Sequence, residues 1–257
     1  VANVSIADLF IAAITPALLL LAFYVAYVLF MCWRNPALGP PMSEEEAAEE
    51  SLWSALRSLA APLLIVFVVL GSIYGGIASI TEAAAMGVSA VMIISFFRGE
   101  LNVKLLQDSL VHTLETCGMI IWIGIAAAVL VGVYNLMGGN RFVAQAILSI
   151  DAAPVLIIMV MMVILLVLGM FLDWIGIALL TLPIFVPIVV QLGYDPIWFG
   201  ILFAVNMQVS YLTPPFGPAA FYLKSVAPRE ITLKHIYTAL LPFIALQLVV
   251  LGIILFY

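Results

Sequence analysis

APVLIIMVMMVILLVLGMFLDWIGIALLTLPIFVPIVVQ, residues 153–191, holds a single ionisable side chain, Asp173, and neither lysine nor arginine. A helix at a water-facing surface needs a polar stripe opposite its apolar one, and this stretch has none. The rest of the 257-residue chain is alike: 66% of it is hydrophobic, 9% is charged and the mean hydropathy is +1.29. A soluble domain carries about 25% charged residues and about half apolar ones. So few charges cannot cover a wet surface, and the apolar surface must face lipid. Runs such as 18–30 and 153–172, with their apolar flanks, are long enough for a hydrocarbon core of roughly 30 Å at about 1.5 Å rise per residue. Membrane strands would alternate apolar and polar residues over ~10 positions, a pattern not seen here. The fold class is an all-α polytopic membrane protein.

The net charge of −6 is concentrated in SEEEAAEE, residues 43–50. There is no basic patch to meet phosphate, so no nucleic acid is expected as a partner. Cys32 and Cys117 lie in separate apolar segments and read as packing residues, without a disulfide or metal role. The chain starts at Val1 without an initiator Met or signal peptide, as expected of a piece of a longer protein.

Outward from the central run, the first span covers residues 6–33, with Pro16 as a kink or broken turn. Residues 34–61 are a polar, turn-rich loop. They end in an amphipathic helix whose Leu52, Trp53, Leu56 and Leu59 recur at helical spacing, as in a helix lying in the membrane interface. Residues 62–98 hold two short apolar runs around ASITE; 99–111 form a second interfacial helix. Spans are expected over 112–138, with a break near Gly118 or Gly124, and over 197–223 and 236–257. Residues 153–191 form a helical hairpin. Cytoplasmic loops carry the Lys and Arg excess. If 62–98 and 153–191 each return to their own side, every basic residue but Arg141 falls on one side. This puts the 153–191 hairpin at the outer face.

Two interruptions stand out. LTPPFGP, residues 212–218, lies inside a span; its prolines remove donors and block helical bonding, while Gly217 permits φ values other residues avoid. Backbone carbonyls are freed there beside the hydroxyl of Thr213, and such oxygens suit a dehydrated Na⁺ at a discontinuous helix. The candidate ion ligands are Thr213, Pro214 and Gly217, with Gly169 and Asp173 from GMFLDWIG. Asp173 also fits the N-cap of the returning helix, with Gly169 allowing the turn. Asn206, Pro215 and Thr181 are candidate substrate-lining residues, though an amide such as Asn206 equally suits a bridge between helices. Thr81 and Glu82 belong to Ser79-Ile80-Thr81-Glu82, which fits a capping box.

At these motifs the chain resembles the large membrane subunit of tripartite ATP-independent periplasmic (TRAP) transporters. The resemblance rests on SIADLFIAAITPALLL, GSIYGGIASITEAAAMG, GMFLDWIGIALLTLPIFVPIV, LGYDPIWFGILFAVNMQVSYLTPPFGPAAFYLKSVAP and IYTALLPF. It implies the second half of an inverted-repeat, elevator-type transporter, with a re-entrant helical hairpin at 153–191 and an unwound helix at 212–218. It implies Na⁺-driven import of carboxylates across the bacterial inner membrane, with Na⁺ as coupling ion, no other cofactor, and no enzymatic activity. The implied partners are a small four-helix membrane subunit, a periplasmic substrate-binding protein, the N-terminal repeat of the same large subunit, and membrane lipid. Residues 1–33 would then end the first repeat, whose Gly/Ser-rich hairpin and Pro-Pro-Ser break do not occur here.

Two other readings compete. A self-sufficient ion-coupled anion carrier of related fold would need no binding protein. An intramembrane aspartyl protease would need two carboxylates sharing a proton, with Asp173 and Asp195 as the pair. GMFLD is not the GxGD of such enzymes, and Asp195 sits in a turn-like LGYDP outside the span.

Overall fold

The computed structural model describes residues 4–39, 52–139, 142, 145, 153–215, 217–228 and 230–256, with backbone alone over 52–58. The acidic run at 43–50 and most of the loop after Gly138 lie outside the described residues. Among those described are nine α-helices and no strand: α1 (Ile6–Arg34), α2 (Leu52–Tyr74), α3 (Ile80–Phe97), α4 (Val103–Leu136), α5 (Pro154–Gly169), α6 (Trp174–Gln191), α7 (Pro196–Leu212), α8 (Pro218–Val226) and α9 (Leu233–Phe256). Five of them, α1, α3, α4, α6 and α9, are long and apolar enough to cross a membrane. The chain is an all-helical polytopic membrane protein, and large apolar side chains such as Leu29, Phe67, Trp122 and Leu136 are exposed along its helices, as a lipid solvent requires. The helices group into two compact units, residues 1–26 with 117–257, and residues 27–116.

In the 27–116 unit, α2 packs on α3, and Ala83 is fully buried. The Ser72 carbonyl near the end of α2 accepts from the Ile77 and Ala78 N–H groups. The chain then enters α3 through a capping box: Ser79 Oγ accepts from the Glu82 N–H at 3.4 Å, and the Glu82 carboxylate accepts from the Ser79 N–H at 2.7 Å. Each satisfies a donor that the helix start would leave unpaired. Thr81 sits in the first turn of α3. Ser79→Ala is expected to destabilise α3 by about 1 kcal/mol while Ser79→Asp keeps the cap, read from thermal unfolding of the detergent-solubilised chain.

Two element boundaries differ from the sequence reading. The amphipathic segment expected to end at residue 61 is continuous with the membrane helix, since α2 runs unbroken through Pro62. The interfacial helix expected at 99–111 and the span at 112–138 are likewise one helix, α4, without a break at Gly118 or Gly124. An isolated glycine costs about 1 kcal/mol in a helix, too little to end one with long flanking turns. At about 1.5 Å per residue, α4 exceeds the ~30 Å hydrocarbon core. Its polar first turns, with Lys104, Asp108, His112 and Glu115, extend beyond it.

In the other unit α7 is the hub, in contact with α5, α6, α8 and α9. Its Phe199, Leu202 and Phe203 join Ile158 and Leu165 of α5 and Ile177 and Val189 of α6 in one apolar core. The Trp198 indole N–H donates to the Ile254 carbonyl at 2.9 Å and ties α7 to α9. The rings of Tyr24 on α1 and Phe243 on α9 meet edge to face, 5.1 Å apart.

Candidate ion site where two helices end together

The segment over 153–191 resolves into α5 and α6, joined by residues 170–173. The last turn of α5 tightens as the Met170 and Phe171 N–H groups donate back to the Val167 and Leu168 carbonyls. Asp173 then starts α6, its Oδ2 accepting from the Ile175 N–H at 3.1 Å. The carboxylate is exposed and caps a helix whose positive end favours it.

The interrupted segment around 212–218 begins where α7 stops at Leu212. Thr213 donates its backbone N–H to Ser210 O at 3.1 Å and its hydroxyl to Val209 O at 2.6 Å. Pro214 and Pro215, joined by a cis peptide, cannot donate to the ladder. The Tyr237 hydroxyl donates to Pro215 O at 3.4 Å. Gly217 sits at φ +29°, and a Cβ there would lie 3.1 Å from Thr213 O and 3.2 Å from Leu212 O. Only glycine lets these carbonyls crowd the break before α8 starts at Pro218.

The two interruptions are neighbours. Asn206 Nδ2 donates to Met162 O at 2.9 Å, and Ser210 Oγ lies 3.3 Å from Leu166 O and 3.1 Å from Asn206 O. Donor and acceptor both advance by four residues, so α5 and α7 run parallel with one turn per rung. Beyond the last rung, Gly169 lies so close to Ser210 that a Cβ would collide with its side chain. Both helices therefore end at the same level. Tyr211, at the end of α7, has Tyr222 of α8 and the Asp173 carboxylate as electrostatic neighbours.

The electrostatics follow from helix polarity. Two parallel C-termini, each carrying about half a negative charge, converge beside freed carbonyls and the Thr213 hydroxyl. That hydroxyl has given its proton to Val209, so its lone pairs remain for a cation. The N-termini of α6 and α8 open at the same place, and α8 has no side-chain cap. Helix N-termini favour anions.

The candidate residues divide accordingly. Gly169, Asp173, Thr213, Pro214, Pro215 and Gly217 all lie at the paired ends. Thr181 is buried on α6, its hydroxyl donating to Ile177 O at 2.7 Å. Asn206 is 0% exposed and turned to α5, not to the cavity wall, and its Oδ1 has no donor among the described residues. The sequence reading missed Ser210, which follows Asn206 by four and so shares its helix face; polar residues at that spacing were the available signal.

Alongside α7 runs a cavity of about 840 Å³ between α1, α6, α7 and α9. Trp174, Tyr211 and Leu212 line it next to the paired helix ends, and Val186, Pro196 and Phe199 line its other end.

A sequence model described as "Tripartite ATP-independent periplasmic transporter, DctM component" matches residues 1–257. The chain belongs to this family. It is 31% identical to the isethionate TRAP transporter permease protein DctMQ of Oleidesulfovibrio alaskensis, over 97% of the chain and 39% of that protein. It is 31% identical to the C4-dicarboxylate TRAP transporter large permease protein DctM of Rhodobacter capsulatus, over 90% of the chain and 52% of that protein. Similarity to the sialic acid TRAP transporter permease protein SiaT of Haemophilus influenzae is 28% identity, over 95% of the chain and 39% of that protein. The chain thus spans about two fifths to three fifths of the length of such relatives. Its DctM relatives are large permease subunits of TRAP transporters, and with five helices among the described residues long and apolar enough to cross a membrane it is a multi-pass protein of the inner membrane.

Proposed function

We propose that this chain forms the ion-coupling half of a Na⁺-driven organic-acid importer that works by an elevator motion. The observation that carries the reading is the pairing of the α5 and α7 C-termini across Gly169 and Ser210. Na⁺ binds between them, on carbonyls of the 169–173 turn and the 212–217 break and on the Thr213 hydroxyl. The substrate carboxylate sits near the α8 N-terminus, next to the cation that neutralises it, and Pro215 shapes that wall. Asn206 and Ser210 lock α5 to α7, so hairpin and interrupted helix travel as one body. Binding near the midplane between two structural halves is the general design of such carriers. The other half is the N-terminal repeat of the large subunit. A small four-helix membrane subunit and a periplasmic binding protein complete the assembly. The names of the relatives, with isethionate, C4-dicarboxylates and sialic acid, support reading the substrate as an organic anion.

The test is reconstitution of the complete large subunit, small subunit and binding protein in liposomes with labelled organic acids. Uptake against a concentration gradient is expected with an inward Na⁺ gradient and is expected to stop when K⁺ replaces Na⁺. Uptake driven equally well without Na⁺ would refute the reading.

A further inference from the structure

The break at 212–218 is restrained by a third helix besides the two it separates. Thr213 and Pro214 each precede a proline, which restricts their ψ, and the rings of Pro214 and Pro215 set their φ. Beyond Thr213, the first backbone rotation left free is therefore ψ of Pro215, the one that aims the Pro215 carbonyl. Thr213 is tied back to Val209 and Ser210 of α7, and past the break the Ala220 N–H donates to Gly217 O at 2.9 Å as α8 starts. Neither set of bonds reaches the Pro215 carbonyl. The Tyr237 hydroxyl does, donating to it at 3.4 Å from α9. The same side chain meets the second soft point of the break. Tyr237 Cε1 lies 3.1 Å from where a Cβ on Gly217 would stand, so the ring edge rests against this permissive glycine. A short connection brings Tyr237 there. α8 has nine residues, and Lys224 in its last turn donates to the Ile231 carbonyl at 2.6 Å, closing the turn from which α9 starts. α9 then packs on both α8 and α7.

Resting on the proposed function, we infer that Tyr237 is a positioning residue for the cation: from α9 it holds the carbonyls of the break ready, and it acts on Na⁺ affinity through the backbone rather than as a ligand. A carbonyl fixed before the ion arrives spares binding the entropy of fixing it. Without the hydroxyl, Na⁺ itself has to order the break, so its affinity falls. Once Na⁺ is saturating the break is ordered as before, and the transport rate returns. The role belongs to the para donor of the ring, since phenylalanine keeps the ring against Gly217 and loses only the bond to Pro215.

The experiment is initial uptake rate against Na⁺ concentration for the complete transporter carrying Tyr237→Phe. The Na⁺ concentration for half-maximal uptake is expected to rise about fivefold, the size of a typical hydrogen bond, with the maximal rate within about twofold of wild type. Incorporation of 4-aminophenylalanine at position 237, which keeps a donor at the same ring position, is expected to restore the Na⁺ dependence. In nanodiscs without Na⁺, the backbone amides over 217–223 are expected to exchange hydrogen faster in Tyr237→Phe than in wild type, and the difference is expected to close when Na⁺ is added. An unchanged half-saturation, a loss of maximal rate alone, or failure of the amino analogue to restore Na⁺ dependence would each overturn the inference. Na⁺-driven uptake that Tyr237→Phe leaves untouched refutes this inference and leaves the proposed function standing. Wild-type uptake indifferent to Na⁺ refutes the proposed function. The exchange rates without Na⁺ then decide whether Tyr237 positions the break: faster exchange in Tyr237→Phe upholds it, and equal rates overturn it.

Discussion

Thr213→Val is expected to raise the Na⁺ concentration for half-maximal uptake by the complete transporter at least tenfold, with little change at saturating Na⁺. The Thr213 hydroxyl donates to Val209 O at 2.6 Å, which fixes its rotamer and turns the remaining lone pairs toward the break. Leu212 O and Thr213 O crowd the same place across Gly217. Valine keeps the β-branched shape and removes one oxygen. Interactions with a charged group are worth about 1.5–3 kcal/mol, and tenfold in affinity is about 1.4 kcal/mol, so the loss of one ligand covers the effect. Thr213→Ser, which restores the oxygen, is expected to restore the Na⁺ dependence. The measurement is initial uptake rate against Na⁺ concentration. An unchanged half-saturation in the valine variant would leave Thr213 as a cap on α7 and nothing more.

A steric exchange gives the second large effect. Gly169→Ala places a methyl group where the Ser210 side chain already lies, and neither backbone can yield without parting α5 from α7. Overpacking of this kind costs about 1–3 kcal/mol. It also displaces the Asn206 and Ser210 rungs that hold the helix ends level. The single variant is expected to melt at lower temperature and to lose most of its uptake. Adding Ser210→Gly removes the obstructing side chain, and the double variant is expected to recover, with a coupling energy of about 0.5–3 kcal/mol despite the extra helical glycine. Thermal unfolding of the four combinations supplies the cycle. Additive losses would mean that Gly169 and Ser210 do not meet.

Much of this was legible in the residues themselves. The interruption at 212–218 could be read because Pro214, Pro215 and Pro218 cannot donate, a local covalent fact that no packing reverses. Asp173 at the head of α6 and Ser79 with Glu82 at the head of α3 could be read for the same reason, since a cap acts within one turn. The facing of α7 could not. A helix apolar on nearly every side has no stripe to reveal which side meets a neighbour. Asn206 could therefore be read equally as a cavity residue or as a bridge between helices, and Ser210 was overlooked. Pro62 and Gly118 misled in the opposite sense. Each weakens a helix by a fixed local amount, and long runs of good helix-forming residues on both sides of α2 and α4 outweigh it.

The two rungs between α5 and α7 are asymmetric in kind. α7 contributes side chains, Asn206 and Ser210; α5 contributes only the backbone oxygens of Met162 and Leu166. Any residue offers the same oxygen, so mutational drift at 162 and 166 is limited by volume and apolar character, whereas at 206 and 210 it is limited by hydrogen-bonding chemistry. A library of apolar residues at 162 and 166 would leave both seam hydrogen bonds in place, whereas one at 206 and 210 would meet sharp vetoes. The tolerance of this seam is one-sided: an engineer wishing to reshape it has two permissive apolar positions on α5 and two restrictive polar ones on α7, with Gly169 fixed beside them.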